Sequence, residues 1–177
     1  MATLYMEAEH RRAIAAALIA CYPSEGCGLL VGQRAFAAVD DGSPAAETHR
    51  AVMGIVPVAN AWDDSLLAYT DGRGKNQDHS RRDRYWIDPA DLLAVQRQAR
   101  EQGLEIIGVY HSHPDHRAVP SECDRALAWP VYSYVIVSVV QGEVTDLKSW
   151  RLDEQNQFQP EPVKMIESST NKAPFLS

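Results

Sequence analysis

The chain is poor in cysteine. Cys21, Cys27 and Cys123 are its three cysteines in 177 residues, an odd number without metal-binding spacing, which argues against a disulfide framework and reads as buried thiols. It has no run of about 18 apolar residues of the kind a bilayer-spanning helix needs. Basic residues are in the minority, 17 Lys and Arg against 24 Asp and Glu, for a net charge of -7. That balance opposes nucleic acid as the main partner, because phosphate binding needs a concentrated basic surface. Glu7 and Glu9 stand where a secretory leader would be basic, so the start of the chain reads as part of the fold and the protein as cytoplasmic. Internal repeats and low-complexity segments are missing, and no histidine occurs after His116.

What is present fits one α/β domain. The hydrophobic fraction is 45% and the mean hydropathy -0.31, ordinary values for a globular chain of this length. Residues 8–21 are rich in helix formers, with Ile14, Leu18 and Cys21 at helical spacing before Pro23 stops the run. Residues 28–32 read as a buried strand, with 36–40 as its hairpin partner, and 51–59 as another strand. Residues 62–84 are polar, broken by Gly72 and Gly74, and longer than a compact domain's usual connection. Arg73, Lys75, Arg81, Arg82 and Arg84 against Asp78 and Asp83 give residues 72–84 a local charge of +3, so a loop that steers an acidic substrate is expected there. A strand ending at Asp88 and a helix from Pro89 to a stop at Gly103 come next. Residues 104–113 then form a central strand, 121–129 start a short helix, and 132–140 pair with 143–152 across Gln141 and Gly142. The tail from Gln155 lacks periodicity and is expected to be loosely held. Strands mixed with helices imply a mixed sheet.

Three of the six histidines fall in "HSHPDH", residues 111–116. Side chains two apart on a strand share a face, so His111 and His113 project together while Ser112 points away. Two imidazoles on one face make a chelate, and a catalytic zinc takes a third protein ligand while keeping a place for water. Asp124 is a candidate for that third place. The competing reading is two partly exposed histidines at a strand end. Ser121, three residues before Asp124, also resembles a capping box at a helix start, and the two readings are compatible because a cap fixes where Asp124 points. "HSHPDH" fits the metal motif of metallo-β-lactamase-fold hydrolases too, but those need later histidines. The H-x-E and P-C-x-x-C of zinc deaminases are both absent.

"HSHP", six residues, then "SECD" resembles the H-[S/T]-H-P-x6-S-x-x-D signature of the JAMM, or MPN+, metalloprotease family. The family also places a glutamate just before an apolar, glycine-bounded strand, and "YPSEGCGLLVG" supplies Glu25. Spacing alone does not select Glu25 among the chain's acids; the resemblance does. It implies a mixed, curved β-sheet flanked by helices, of cytidine-deaminase-like architecture, over residues 1–154, with 62–84 as an insertion and 155–177 as the tail. It implies one zinc per chain on His111, His113 and Asp124, Glu25 as the general base, and Ser121 as the group that steadies the oxyanion. Relatives of this type cut after the C-terminal Gly-Gly of ubiquitin-like proteins. The substrate implied is therefore a ubiquitin-like, β-grasp sulfur-carrier protein, and a homodimer is compatible with the pattern. The alternatives are a deubiquitinase-like or cell-wall peptide hydrolase, and a non-catalytic scaffold that binds ubiquitin-like tails.

Overall fold

Adjacent apolar residues on the central strands point to opposite sides of one sheet, so the core is split in two. The computed structural model describes residues 2–37, 45–66 and 80–167. Its strands are β1 (Thr3–Glu7), β2 (Cys27–Phe36), β3 (Glu47–Val58), β4 (Glu105–Pro114), β5 (Ser133–Val140), β6 (Glu143–Leu152), β7 (Phe158–Glu161) and β8 (Val163–Ile166). They hydrogen-bond in the order β7-β6-β5-β4-β2-β3-β1-β8. Among the described residues the α-helices are α1 (Ala8–Cys21), α2 (Pro89–Glu101) and α3 (Glu122–Leu127).

On one face Leu30, Ile107, Tyr110, Val135 and Val137 surround Ile14 and Leu18 of α1. On the other, Leu29, Val31, Val109 and Tyr134 pack against Val95 and Ala99 of α2. Each such side chain contributes roughly 1.5–3 kcal/mol when fully buried. The edge strands β7 and β8 are consecutive in the chain, with Pro162 between them, and Leu4 N donates to Pro162 O at 2.9 Å. The chain thus steps from one edge of the sheet to the other, which curls the sheet until it nearly closes around α1. Inside that curl the wholly buried Arg50 bonds Glu47, Ile107 O at 2.8 Å and Ser133 Oγ at 3.2 Å, which ties β3 to β4 and β5.

Helix α2 begins as the sequence indicates: Asp88 caps Ala90 N at 2.7 Å, Pro89 is the first helical residue, and Gly103 ends the turn with φ 67. The Gln141-Gly142 turn also has the positive φ values, 51 and 83, that a tight hairpin requires.

Four expectations differ. Residues 36–40 are not the partner of β2. Instead β2 runs on to Phe36 and pairs antiparallel with β3, Gln33 opposite Ala51 and Phe36 opposite Glu47, while 38–44 lie outside the described residues. The segment before Asp88 is not a strand, because Trp86 spends its backbone bonds on the chain after β3, donating to Asn60 Oδ1 at 3.2 Å and accepting from Ala61 N at 2.9 Å. The tail expected to be loose from Gln155 instead supplies β7, antiparallel to β6, and β8, parallel to β1; residues 168–177 lie outside the described residues. Two four-residue strands separated by a proline leave no readable period. Strand β1 passes straight into α1 without a turn signal and is likewise illegible in the sequence. Of the thiols, Cys27 is buried, but Cys21 is exposed and Cys123 partly so.

Candidate metal centre

Strand β4 lies between β2, to which it is antiparallel, and β5, to which it is parallel. A bulge opposite Leu30 and Val31 shifts its phase, so Val109 faces α2 and Tyr110 faces α1. By alternation His111 and His113 join Val109 on the α2 side. Pro114 closes the strand and Asp115, with φ 57, turns the chain away. Both imidazoles are buried, 0% and 8% exposed, in the last turn of a central strand.

Asp124 comes to them from α3. His111 Nε2 and His113 Nε2 are 3.1 Å apart, and they lie 3.2 and 3.4 Å from Asp124 Oδ1 and Oδ2 respectively. An ion held tetrahedrally at about 2.0–2.1 Å from each ligand separates its ligand atoms by about 3.3–3.4 Å. The two imidazole nitrogens and the carboxylate, one oxygen towards each ring, are therefore grouped closely enough to hold a metal ion. The protonation states agree. His113 Nδ1 is 3.0 Å from Arg117 O; a carbonyl only accepts, so Nδ1 carries the hydrogen and Nε2 presents its lone pair to the metal position. Burial lowers the His111 pKa, which keeps that ring neutral, and Tyr85 stacks on it with centroids 4.4 Å apart and planes 24° apart. Burial alone would raise Asp124; in the metal-free site the facing imidazole nitrogens lower its carboxyl well below the usual range to the extent that they carry protons, a pairing that a metal on neutral rings would replace.

Ser121 serves both readings of its segment. Its Oγ accepts from Asp124 N at 3.1 Å, while Ser121 N donates to Asp124 Oδ2 at 2.6 Å, a reciprocal capping box at the start of α3. With the oxygen engaged as acceptor, the hydroxyl hydrogen remains as a donor, and Ser121 lines the cleft beside Glu25 and His113. The cap aims both side chains.

Glu25 sits on the bend between α1 and β2, 6% exposed. Burial first, then the charges of Asp124 and Asp83, push its carboxyl well above the usual range. Three contacts hold its backbone. Glu25 N donates to Arg81 O at 2.6 Å, Asn60 Nδ2 donates to Glu25 O at 2.9 Å, and Gly26 N donates to Ser112 Oγ at 2.9 Å. Ser112 thus points away from the metal face, as alternation requires, and uses its hydroxyl to pin the glutamate's neighbour. Asn60 uses all four of its hydrogen-bonding positions, donating to Glu25 O and Arg84 O and accepting from Trp62 N and Trp86 N. Asn60→Ala removes that junction and exposes unpaired amides. We expect it to lower kcat roughly 10-fold or more while leaving the metal in place, a 1 Å displacement of a catalytic group being enough for such a loss; kcat and metal content of the purified variant check this.

Two depressions flank the centre, the second reaching it through Tyr85, which stacks on His111. One is a polar cleft of about 1010 Å³ shared by Glu25, His113 and Ser121; the other is an apolar groove of about 420 Å³ walled by Tyr85, Ile87, Leu127, Trp129 and Tyr134. Both ends of the expected insertion reach this area. Arg81 Nε donates to Trp62 O at 2.9 Å, so Arg81 is an anchor rather than a free steering charge, whereas Arg82 and Arg84 line the cleft. Arg73, Lys75 and Asp78 lie outside the described residues. Glu25, His111, His113, Ser121 and Asp124 are all brought to one place. Sequence reasoning does not find Asn60, Ser112 or Tyr85 as supports of the site: a lone Asn after a strand and a Tyr before a helix carry no spacing signal.

Comparison with known proteins identifies the family and the fold. The family described as prokaryotic homologs of the JAB domain matches residues 7–153. A desampylase of Haloferax volcanii is 29% identical over 133 residues, 75% of this chain and 73% of that protein. A probable TtuB-protein conjugate cleaving protease of Thermus thermophilus is 30% identical over 115 residues, 64% of this chain and 55% of that protein. Among solved structures, a protein of Desulfitobacterium hafniense shares the fold with a TM-score of 0.69 at 24% identity, covering 95% of this chain and 96% of its own. One of Salinibacter ruber has a TM-score of 0.57 at 29% identity, covering 97% and 95%.

Proposed function

Because this chain belongs to the prokaryotic homologues of the JAB domain, we propose that it is a zinc-dependent peptidase or isopeptidase that cuts after the C-terminal Gly-Gly of a ubiquitin-like protein. The observation that carries this reading is the ligand-spaced trio of His111, His113 and Asp124 with Glu25 and Ser121 on the same cleft. The names of the relatives, a desampylase and a conjugate-cleaving protease, support hydrolysis of protein conjugates.

His111, His113 and Asp124 would hold the zinc, which when bound would supply the Lewis acidity that lets water act as a nucleophile near neutral pH. Glu25 accepts the water's proton and returns it to the departing nitrogen. Burial raises its carboxyl, and a cation held beside it would oppose that and favour the ionised, proton-accepting form. Ser121 Oγ–H donates where negative charge develops on the carbonyl oxygen. Tyr85, stacked on His111, and Arg117 O, bonded to His113 Nδ1, keep the rings in place. The apolar groove beside Tyr85 suits the extended tail that precedes the cut, since an unstructured segment gains affinity there by covering aromatic surface. Trp129, 66% exposed, stands on the groove wall and is open to such a tail.

The test is intact-mass analysis of a β-grasp carrier protein carrying residues beyond its Gly-Gly. Cleavage after the second glycine is expected, and Trp129→Ala should reduce kcat/KM on the carrier about 10-fold, the usual scale for an exposed aromatic anchor of 1–2 kcal/mol. Cuts at scattered positions, or an inert carrier, would contradict the reading.

A further inference from the structure

The polar cleft is formally balanced in charge, but its acids are engaged and part of its positive charge is not. Arg82, Arg84, Arg117 and Lys148 line it against Glu25, Asp83, Asp115 and Asp146. Asp115 accepts from the Tyr22 hydroxyl at 3.0 Å and from Gln141 N at 2.9 Å. Asp146 pairs with Lys148 at 3.1 Å, and Asp83 accepts from Ser80 N at 2.8 Å and stands 3.6 Å from Arg84 Nη1. Glu25 is buried. Among the described residues, the exposed guanidinium groups of Arg82 and Arg117 make no hydrogen bond or ion pair; Arg82 lies near enough to Asp115 to help lower its carboxyl, without a direct pair.

Both arginines are rooted in the catalytic framework. Arg117 O holds His113 Nδ1 at 3.0 Å, and Arg82 is next in the chain to Arg81, whose carbonyl accepts from Glu25 N at 2.6 Å. One guanidinium therefore starts from the metal-ligand side of the cleft and the other from the glutamate side. Where the residues before the cut cover the apolar groove, as proposed above, the polar cleft holding Glu25, His113 and Ser121 is left for the leaving group.

We propose that Arg82 and Arg117 bind the carboxylate of the leaving group, so that the preferred substrates are Gly-Gly carriers extended by a short C-terminal peptide or single amino acid, rather than conjugates through a lysine side chain. This rests on the hydrolase reading above. The water oxygen joins the glycine carbonyl carbon, the C–N bond breaks, a proton passes to the nitrogen, and the amine departs with its carboxylate. A terminal residue carries that charge a few bonds from the scissile nitrogen. A lysine ε-amine is attached instead to an apolar stem and neutral backbone amides, which give two guanidinium groups nothing to pair with.

The zinc-loaded full chain is tested with three peptides ending in the same Gly-Gly donor: one extended by two residues with a free carboxylate, the same with a C-terminal amide, and one joined to the ε-amine of a lysine blocked at both ends. We expect kcat/KM for the free acid to exceed that for the amide about 10-fold, mostly through KM, as for loss of one charge-assisted contact, with the gap narrowing at high salt. In the double variant Arg82→Gln, Arg117→Gln the ratio should fall towards 1, and Lys at both positions should recover part of it, a pattern that a merely structural role would not produce. Equal turnover of acid and amide, an unchanged ratio in the variant, or the lysine conjugate as best substrate would overturn the proposal. No turnover of any peptide would overturn the hydrolase reading and this inference with it.

Discussion

Glu25→Gln should keep its metal and lose hydrolysis, with kcat lower by roughly 10² or more, the scale of a removed general base. The substitution is nearly isosteric, and the backbone contacts to Arg81, Asn60 and Ser112 do not involve the carboxylate, so the fold around it is untouched. An amide still holds a water by hydrogen bonding but has no site for its proton. Because burial raises the Glu25 carboxyl in the metal-free protein, replacing it by a neutral amide should not lower, and should slightly raise, the stability of that form above the carboxyl's ordinary range, where the acid must otherwise ionise or hold a proton against solvent. Thermal melting with and without metal measures this together with kcat. Near-normal turnover would remove Glu25 from the mechanism and direct attention to Glu122, the next acid on α3.

Asp124→Ala should do more damage, because the residue holds two structures at once. As a ligand its loss should weaken metal binding beyond the roughly 10–100-fold that outer contacts cost. As the acid of the capping box its loss leaves Ser121 N without its 2.6 Å acceptor, for about 0.5–2 kcal/mol of stability. Asp124→Asn separates the roles: it retains an oxygen for Ser121 N and should recover most of the stability, but not the metal. The pH dependence carries the same signature. Asp124 has a depressed pKa in the metal-free fold, so its pairing with the histidines stabilises above the unfolded carboxyl's range and is lost as pH falls through the folded value. Acid unfolding of the metal-free Asp124→Asn variant should therefore be less steep below about pH 4. Denaturant midpoints across that range check it, and parallel curves for the two proteins would argue against the pairing.

The parts of this site that lie within one local pattern were readable from the chain. Alternation on one strand put His111 and His113 on a common face, and the S-x-x-D spacing tied Ser121 to Asp124 through a cap. Helix α2 announced itself through Pro89 and Gly103, while its Asp88 cap reads in the sequence as the end of a strand. What resisted reading was long-range. Asn60 acts through Glu25 and Trp86, which are 35 and 26 residues away, and Tyr85 stacks on His111, far along the chain. Each is an ordinary residue until the fold places it. Strands β1, β7 and β8 form because of partners distant in sequence, and their four or five residues are too few to show a period. The bulge in β4 was also silent, although it decides which face the histidines take.

The proposed hydrolysis depends on a metal centre that His111, His113 and Asp124 would form. Elemental analysis of the purified chain beside its His111→Ala, His113→Ala double variant tests that dependence most directly. One zinc per wild-type chain and close to none in the variant are expected, with the variant still folded by circular dichroism; a full equivalent of zinc retained in the folded variant would contradict it.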